Sequence, residues 1–386
     1  MYDLLIKGGR LIDPAQNLDG KMDIGINKDK ITALAKDIPA GQSAKVIDAS
    51  GSIVTPGLID FHCHVYDGVI RNGAEIDTAG VRQGVTTLLD AGSAGEANFP
   101  AFPKYLIPRA CTSVFCFLHI SSLGQSLQPE PYDMREIDPE LTSKMISAYP
   151  DLIKGVKLRL VGGLIARNGL EIFKTAKRVA KDLKLPVMIH IGDPLNLAPP
   201  ALTREVLTLM EKGDILTHVF SAKQGSVFTD GVFVPEFKEA MARGVIFDVA
   251  HGRNNCSFEV ARRGMSQGIM PTTISSDVTC ASLTGPTYGL TATMSKFLAL
   301  GLDLRQVITM TTINPARLLG IADKVGSLRP GMTADVSILN LETGKWKLID
   351  AEKQVLEATR LFVPKLTIKT GKVVLPRLVA LPERVK

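Results

Sequence analysis

Three textures of apolar and polar positions follow one another along the chain. Up to about residue 50, apolar residues alternate with polar ones in YDLLIKGGRLID, KMDIGINKDKITALA and AKVIDASGSIV, broken by Gly and Asn turns. That period of two predicts half-buried strands. The same texture returns from about Gly326 in GSLRPGMTADVSILN and LTIKTGKVV. Between these ends lie eight short, nearly continuous apolar runs: IDFHCHV, GVTTLLDAG, TSVFCFLHIS, IKGVKLRL, PVMIHIGD, DILTHVF, GVIFDVAHG and TTISSDV. Such runs are buried on both faces and predict parallel strands. Helical periodicity lies between them: LEIFKTAKRVAKDLK puts Leu170, Phe173, Ala176, Val179, Ala180 and Leu183 on one face. DPELTSKMISAYP carries Asp138 as a cap, a proline at the first helical position and Glu140 in the first turn.

Strands alternating with helices predict an α/β protein, a (β/α)8 TIM barrel over residues 53–325. A doubly wound open sheet is the alternative, but no GxGxxG follows the first strand. The two β-rich ends, residues 1–52 and 326–386, most simply pair into one small discontinuous β-sandwich domain beside the barrel.

With 45% apolar and 22% charged residues in 386, the composition is that of an ordinary soluble globular protein. A net charge of +6 raises nucleic acid as a partner. Yet the cations interleave with acids, as in KTAKRVAKDLK, and 5% aromatics leave few stacking platforms, so none is expected. No apolar run approaches the ~20 residues of a membrane span, and MYDLLIKGGRLID lacks the apolar core of a signal peptide. Five cysteines without a CxxC pair suit reduced thiols in the cytoplasm. A homo-oligomer is compatible with all of this.

The chemistry gathers at predicted strand ends, where barrels keep their functional groups. All six histidines lie there: His62 and His64 on the first strand, His119 on the third, His190 on the fifth, His218 on the sixth and His251 on the seventh. Residues i and i+2 of a strand share a face, so both imidazoles of HxH can reach one metal ion. Cys63 between them points the other way and reads as a small packed side chain. With Asp277 in ISSD on the eighth strand, nitrogens and a carboxylate suit zinc or a similar divalent ion. The two histidines of the first strand, His190, His218 and Asp277 make five ligands, too many for one catalytic zinc that keeps an open position. They fit two ions ~3.5–4 Å apart, which need a bridging anion. No acid ends the fourth strand, KGVKLRL. A lysine there can serve after taking up CO2 as a carbamate; as an unpaired ammonium it would be costly in an apolar strand. Lys154 and Lys157 are three apart and point to opposite faces, so only one can see the histidines.

LIDFHCHV after a β-rich N-terminus, the strand-four lysine, His190, His218 and Asp277 resemble the amidohydrolase superfamily. GVKLR, DVAHGRNN, TISSD, MSKFLALG and TINPARLLG resemble its dihydroorotase-like deacetylase branch, over nearly the whole chain. The resemblance selects Lys157 as the carbamate. It implies that His62, His64 and Asp277 hold the more buried ion, that His190 and His218 hold the more exposed one, and that Lys157 bridges them. It further implies hydrolysis by a metal-bridging hydroxide, with Asp277 carrying the proton to the leaving atom. His251 resembles a substrate-facing position, with Gly252 letting backbone approach closely; a loop cap is its alternative. His119 is a candidate substrate contact, with packing behind the site as its alternative. Arg159 lies two residues beyond Lys157 on the same face and is placed to bind a substrate carboxylate, with an ion pair to a neighbouring loop acid as its alternative.

The expectation is a binuclear metal-dependent deacetylase or amidase acting on a small N-acyl amino acid or O-acyl hydroxy acid. The alternative is a cyclic-amide hydrolase of the dihydroorotase or dihydropyrimidinase kind. A non-enzymatic assembly module would be expected to have lost ligands, and every expected ligand type is present.

Overall fold

The computed structural model describes residues 1–385. Seven parallel strands form its central sheet, in chain order: β1 (Leu58–Cys63), β2 (Val85–Ala91), β3 (Ser113–His119), β4 (Ile153–Arg159), β5 (Val187–His190), β6 (Ile215–Thr217) and β7 (Ile246–Asp248). These are the first seven of the expected strands, and the whole is a TIM barrel. The helix Pro139–Ala148 starts as its sequence predicts, with Asp138 accepting from the Leu141 amide at 2.8 Å. In the helix Gly163–Asp182, Phe173, Ala176, Val179 and Ala180 are buried on the predicted face.

The eighth strand differs from expectation. Residues 273–278 close the ring through two isolated parallel bridges, Asp248 with Thr273 and Cys63 with Val278, rather than through a continuous ladder. Backbone bonds still cross the seam, among them the Asp277 amide to the His62 carbonyl at 2.7 Å and the His64 amide to the Val278 carbonyl at 2.9 Å, and side chains add to them. Thr273 and Ser275 hydroxyls donate to Asp248 Oδ1 at 2.7 and 2.6 Å, and the Ser276 amide donates to Asp60 Oδ1 at 2.8 Å. Asp277 itself has φ +50°, outside the β region, so the pleat cannot run through it.

The chain ends build two further sheets. One has four strands, in the order Lys30–Ala35, Asp23–Asn27, Leu4–Lys7 and Val46–Asp48. The other joins Arg10–Asp13 and Ile53–Pro56 to Val336–Ile349 and Val355–Lys369. A shared core draws Leu4, Ile24 and Val54 from one end and Val336, Ile338 and Ile368 from the other. Ile53–Pro56 thus pairs with the terminal strands, past the break placed after residue 52. The hairpin of Val336–Ile349 and Val355–Lys369 is longer than a sandwich needs. Its far end lies on the barrel, where Trp346, Leu348, Ala358 and Leu361 pack with Phe258. Among the described residues no helix is long and apolar enough to cross a membrane.

Candidate metal centre

β1 ends by delivering His62 and His64 to the barrel mouth, and the segment after β7 delivers Asp277 beside them. One ligand atom from each of these three lies within 4.8 Å of the others. Asp277 Oδ1 is 3.2 Å from His64 Nε2 and 3.7 Å from His62 Nε2. The far nitrogens are held from behind. His62 Nδ1 lies 2.9 Å from Thr217 Oγ1, whose hydroxyl donates to Asp248 Oδ2 at 2.8 Å. The hydroxyl proton being engaged, Nδ1–H donates and Nε2 keeps its lone pair for a metal. His64 Nδ1 is 2.9 Å from Ser93 Oγ.

His218 and His190 stand alongside, their rings 4.1 Å apart, with His218 5.1 Å from His62. His218 Nδ1 is 2.8 Å from the Ala250 carbonyl, which can only accept, so its Nε2 also carries a lone pair. The Nε2 atoms of His190 and His218 are both buried without a hydrogen-bond partner. Buried polar atoms are rarely left so, and a divalent ion would satisfy both. Burial pushes His62 and His190 well below the ordinary histidine value and His218 to about 3, against the pull of Asp277 on the last. Neutral imidazole is the form that binds metal. Asp277 stays below the usual carboxylate value: burial opposes its charge, but the His64 hydrogen bond and nearby His218 outweigh it.

Lys157 is completely buried at the heart of this group, with Nζ 3.4 Å from His62 Nε2 and 3.4 Å from Met188 Sδ. Burial pushes its amine down to about 7, although Asp277 pulls the other way. Lys154 points elsewhere, with its Nζ 5.3 Å from the Phe115 ring centre. The opposite-face expectation for the two lysines describes what is seen.

A cavity of about 240 Å³ opens over the centre, lined by His64, His190 and Asp277 together with Arg159, Arg253 and Asn255. Arg159 faces it as its register predicts, opposite His190 on the neighbouring strand. Its Nη1 also donates to Glu130 Oε1 at 2.6 Å, and Glu130 is fully buried. His119 does not line the cavity. Its Nδ1 accepts from the Ser121 amide at 3.0 Å, and its unpartnered Nε2 lies 3.9 Å from Glu130 Oε1, behind Arg159.

The substrate-facing reading of His251 needs correcting. Its Nε2 is 2.9 Å from Lys296 Nζ, its Nδ1 is 2.8 Å from the Gly252 carbonyl, and it does not line the cavity. Ala250 has φ +41°, which turns the chain just before His251. Gly252 is where backbone approaches closely: a Cβ there would overlap Asp277 Oδ2. The loop's own contributions to the cavity are Arg253, Asn254 and Asn255, and Asn255 Nδ2 donates to Asp277 Oδ2 at 3.0 Å. All three stand in the DVAHGRNN stretch at a strand end, so the rule that found the histidines could have found them. Glu130, in the proline-flanked QPEPYD, carries no such signal.

A family model described as the amidohydrolase family matches residues 53–374. A deacetylase of Brucella anthropi is 32% identical over 358 residues, covering 92% of this chain and 88% of its own. A dihydroorotase of Syntrophus aciditrophicus is 24% identical, covering 90% and 91%. Among solved structures, one of an adenine deaminase superposes with a TM-score of 0.89 at 32% identity, covering 97% of this chain and 100% of that one. One of a dihydroorotase reaches 0.87 at 29% identity, covering 97% of each.

Proposed function

The chain belongs to the amidohydrolase family and is a hydrolytic enzyme; from that premise we propose that it removes an acyl group from a small carboxylate-bearing N-acyl amino acid or O-acyl hydroxy acid. The reading rests chiefly on one observation: a single small cavity is lined both by metal-ligating side chains and by two guanidinium groups, Arg159 and Arg253. Family relatives named deacetylases support the acyl group as the part cleaved.

His62, His64 and Asp277 would hold one divalent ion, and His190 and His218 a second. A carbamate on Lys157 would lie between them; zinc or a similar metal suits this donor set. Bound ions of this kind supply a water ionised near neutrality and a polarised scissile carbonyl. The chain's own groups do the rest. Asp277 stands in the cavity wall with one oxygen toward the histidines and the other held by Asn255, placed to take a proton and return it to the leaving nitrogen or oxygen. Arg159, anchored by Glu130, still has N–H groups to offer a substrate carboxylate. Arg253 pairs with no acid among the described residues, so its guanidinium is free to meet a substrate anion.

The test is a screen of metal-loaded protein against N-acetyl amino acids, O-acetyl hydroxy acids, cyclic ureides including dihydroorotate, and adenine. Turnover confined to acylated carboxylates is expected. Dihydroorotate turned over while no acylated acid is would transfer the site to cyclic-amide hydrolysis, since that substrate also carries a carboxylate. Adenine offers no anion to the guanidinium groups and should be inert.

A further inference from the structure

The side chain of Asp277 is not braced by a regular strand. Its segment forms two isolated bridges, at Thr273 and Val278; the Asp277 amide donates to the His62 carbonyl at 2.7 Å, but Asp277 itself lies off the pleat and its side chain is free of that pairing. Asp277 Oδ2 instead receives the Asn255 amide, so the loop from 251 to 258 decides where that carboxylate points. The loop is pinned at its near end by the amides of His251 and Gly252, which donate to the carbonyls of Ser275 and Ser276 at 3.1 and 2.9 Å. Its far end is pinned by the terminal hairpin. Asp350, 1% exposed at the hairpin tip, accepts from the Phe258 amide at 2.7 Å. That amide opens the helix Phe258–Ser266, and a first-turn N–H has no partner inside its own helix. The neighbouring Ala351 amide donates to the Cys256 carbonyl at 3.0 Å, and the Phe258 ring is packed under Trp346 and Leu348. Asn255 thus stands one residue from a backbone carbonyl that the hairpin holds.

We infer that Asp350 is a positioning residue for the metal centre, acting through the 255–258 loop to aim Asn255 at Asp277. The terminal domain then contributes to the site without touching it. The inference rests on the role proposed for Asp277, and its test is a double-mutant cycle with two separate readouts. Asn255→Ala, Asp350→Ala and the double variant are compared in kcat on an acylated substrate and in the rate at which a chelator strips metal from the loaded protein. Each single change should lower kcat about tenfold, with little change in KM, and speed metal loss; the double should be no worse than Asn255→Ala alone. If Asp350→Ala does not fold, Asp350→Asn, which keeps one acceptor oxygen, carries the same cycle. Losses that multiply in the double variant, or an Asp350 variant indistinguishable from the parent, overturn the inference. If no acylated acid is hydrolysed at all, the proposed function fails, while the chelator cycle still decides the role of Asp350.

Discussion

Among the described residues two lysines are entirely buried, and the regions around them differ in what they offer an amine. Lys157 on β4 and Lys296 on the helix Leu290–Ala299 are both 0% exposed, and burial lowers both to about 7. Lys296 is well supplied: its Nζ donates to the Pro286 carbonyl at 2.7 Å and lies 2.9 Å from His251 Nε2. Lys157 has a thioether sulfur and a histidine nitrogen, each at 3.4 Å, and neither contact holds an ammonium well. Burial and a lowered pKa therefore do not mark a reactive amine, since the two residues share them. What sets Lys157 apart is its unmet hydrogen bonding beside the candidate metal ligands.

The largest expected effect tests that contrast directly. Lys157→Ala should lose most bound metal and nearly all activity, with partial rescue by short carboxylic acids that replace the carbamate. Lys154→Ala should retain both. Metal content and turnover measured side by side would break the comparison if the two lysines exchanged behaviour. Next comes the proton carrier of the same region. Asp277→Asn preserves shape but cannot shuttle a proton, so kcat should fall ~10²–10⁴-fold in metal-replete protein. Near-normal turnover would remove Asp277 from the chemistry.

A smaller effect is expected two residues along β4. Arg159→Met should cost ~1.5–3 kcal/mol in kcat/KM on a carboxylated substrate, the usual worth of a charged hydrogen bond, and much less on an uncharged ester. Equal losses on both would leave Arg159 only its ion pair with Glu130. The smallest effect belongs to the other lysine. Its folded value of about 7 lies below the ordinary 10.5, so between those limits the unfolded chain binds a proton that the folded chain refuses. Stability from this group therefore rises with pH across that window, by up to about 1.4 kcal/mol per pH unit. Denaturant melts at pH 7.5 and 9 should show the rise shrinking in Lys296→Met. An unchanged slope would mean that Lys296 stays protonated through that range.

How much of this was legible in the sequence depended on whether a residue's role was local. His62 and His64 could be read because i and i+2 on a strand share a face, and Arg159 could be read from the same rule counted from Lys157. The orientation of His251 was not legible from its place at a strand end: a left-handed Ala250 precedes it, and its Nε2 meets Lys296 rather than the cavity. Glu130 escaped notice for a different reason: its partner Arg159 is 29 residues away and its loop has no periodicity. Asp350 and Phe258 are 92 residues apart, and nothing in either stretch announces the other. Strand texture predicted sheets at both ends of the chain, but not that one hairpin would outgrow its sandwich and reach the barrel.

The ring's seam has a consequence for how the molecule assembles. Asp60 and Ser276, joined across it, are 216 residues apart in the sequence, so their meeting demands the widest loop closure in the barrel. Neighbouring strands elsewhere find each other over short distances and can zip in chain order. Closure at the seam combines backbone bonds that form no continuous ladder with serine and threonine hydroxyls on two buried carboxylates. The barrel should therefore complete itself last here, and breathe first here. Amides of residues 275–278 should exchange with deuterated solvent sooner than equally buried amides of β2 and β3, so Asp277 joins the metal-binding histidines only as the ring shuts.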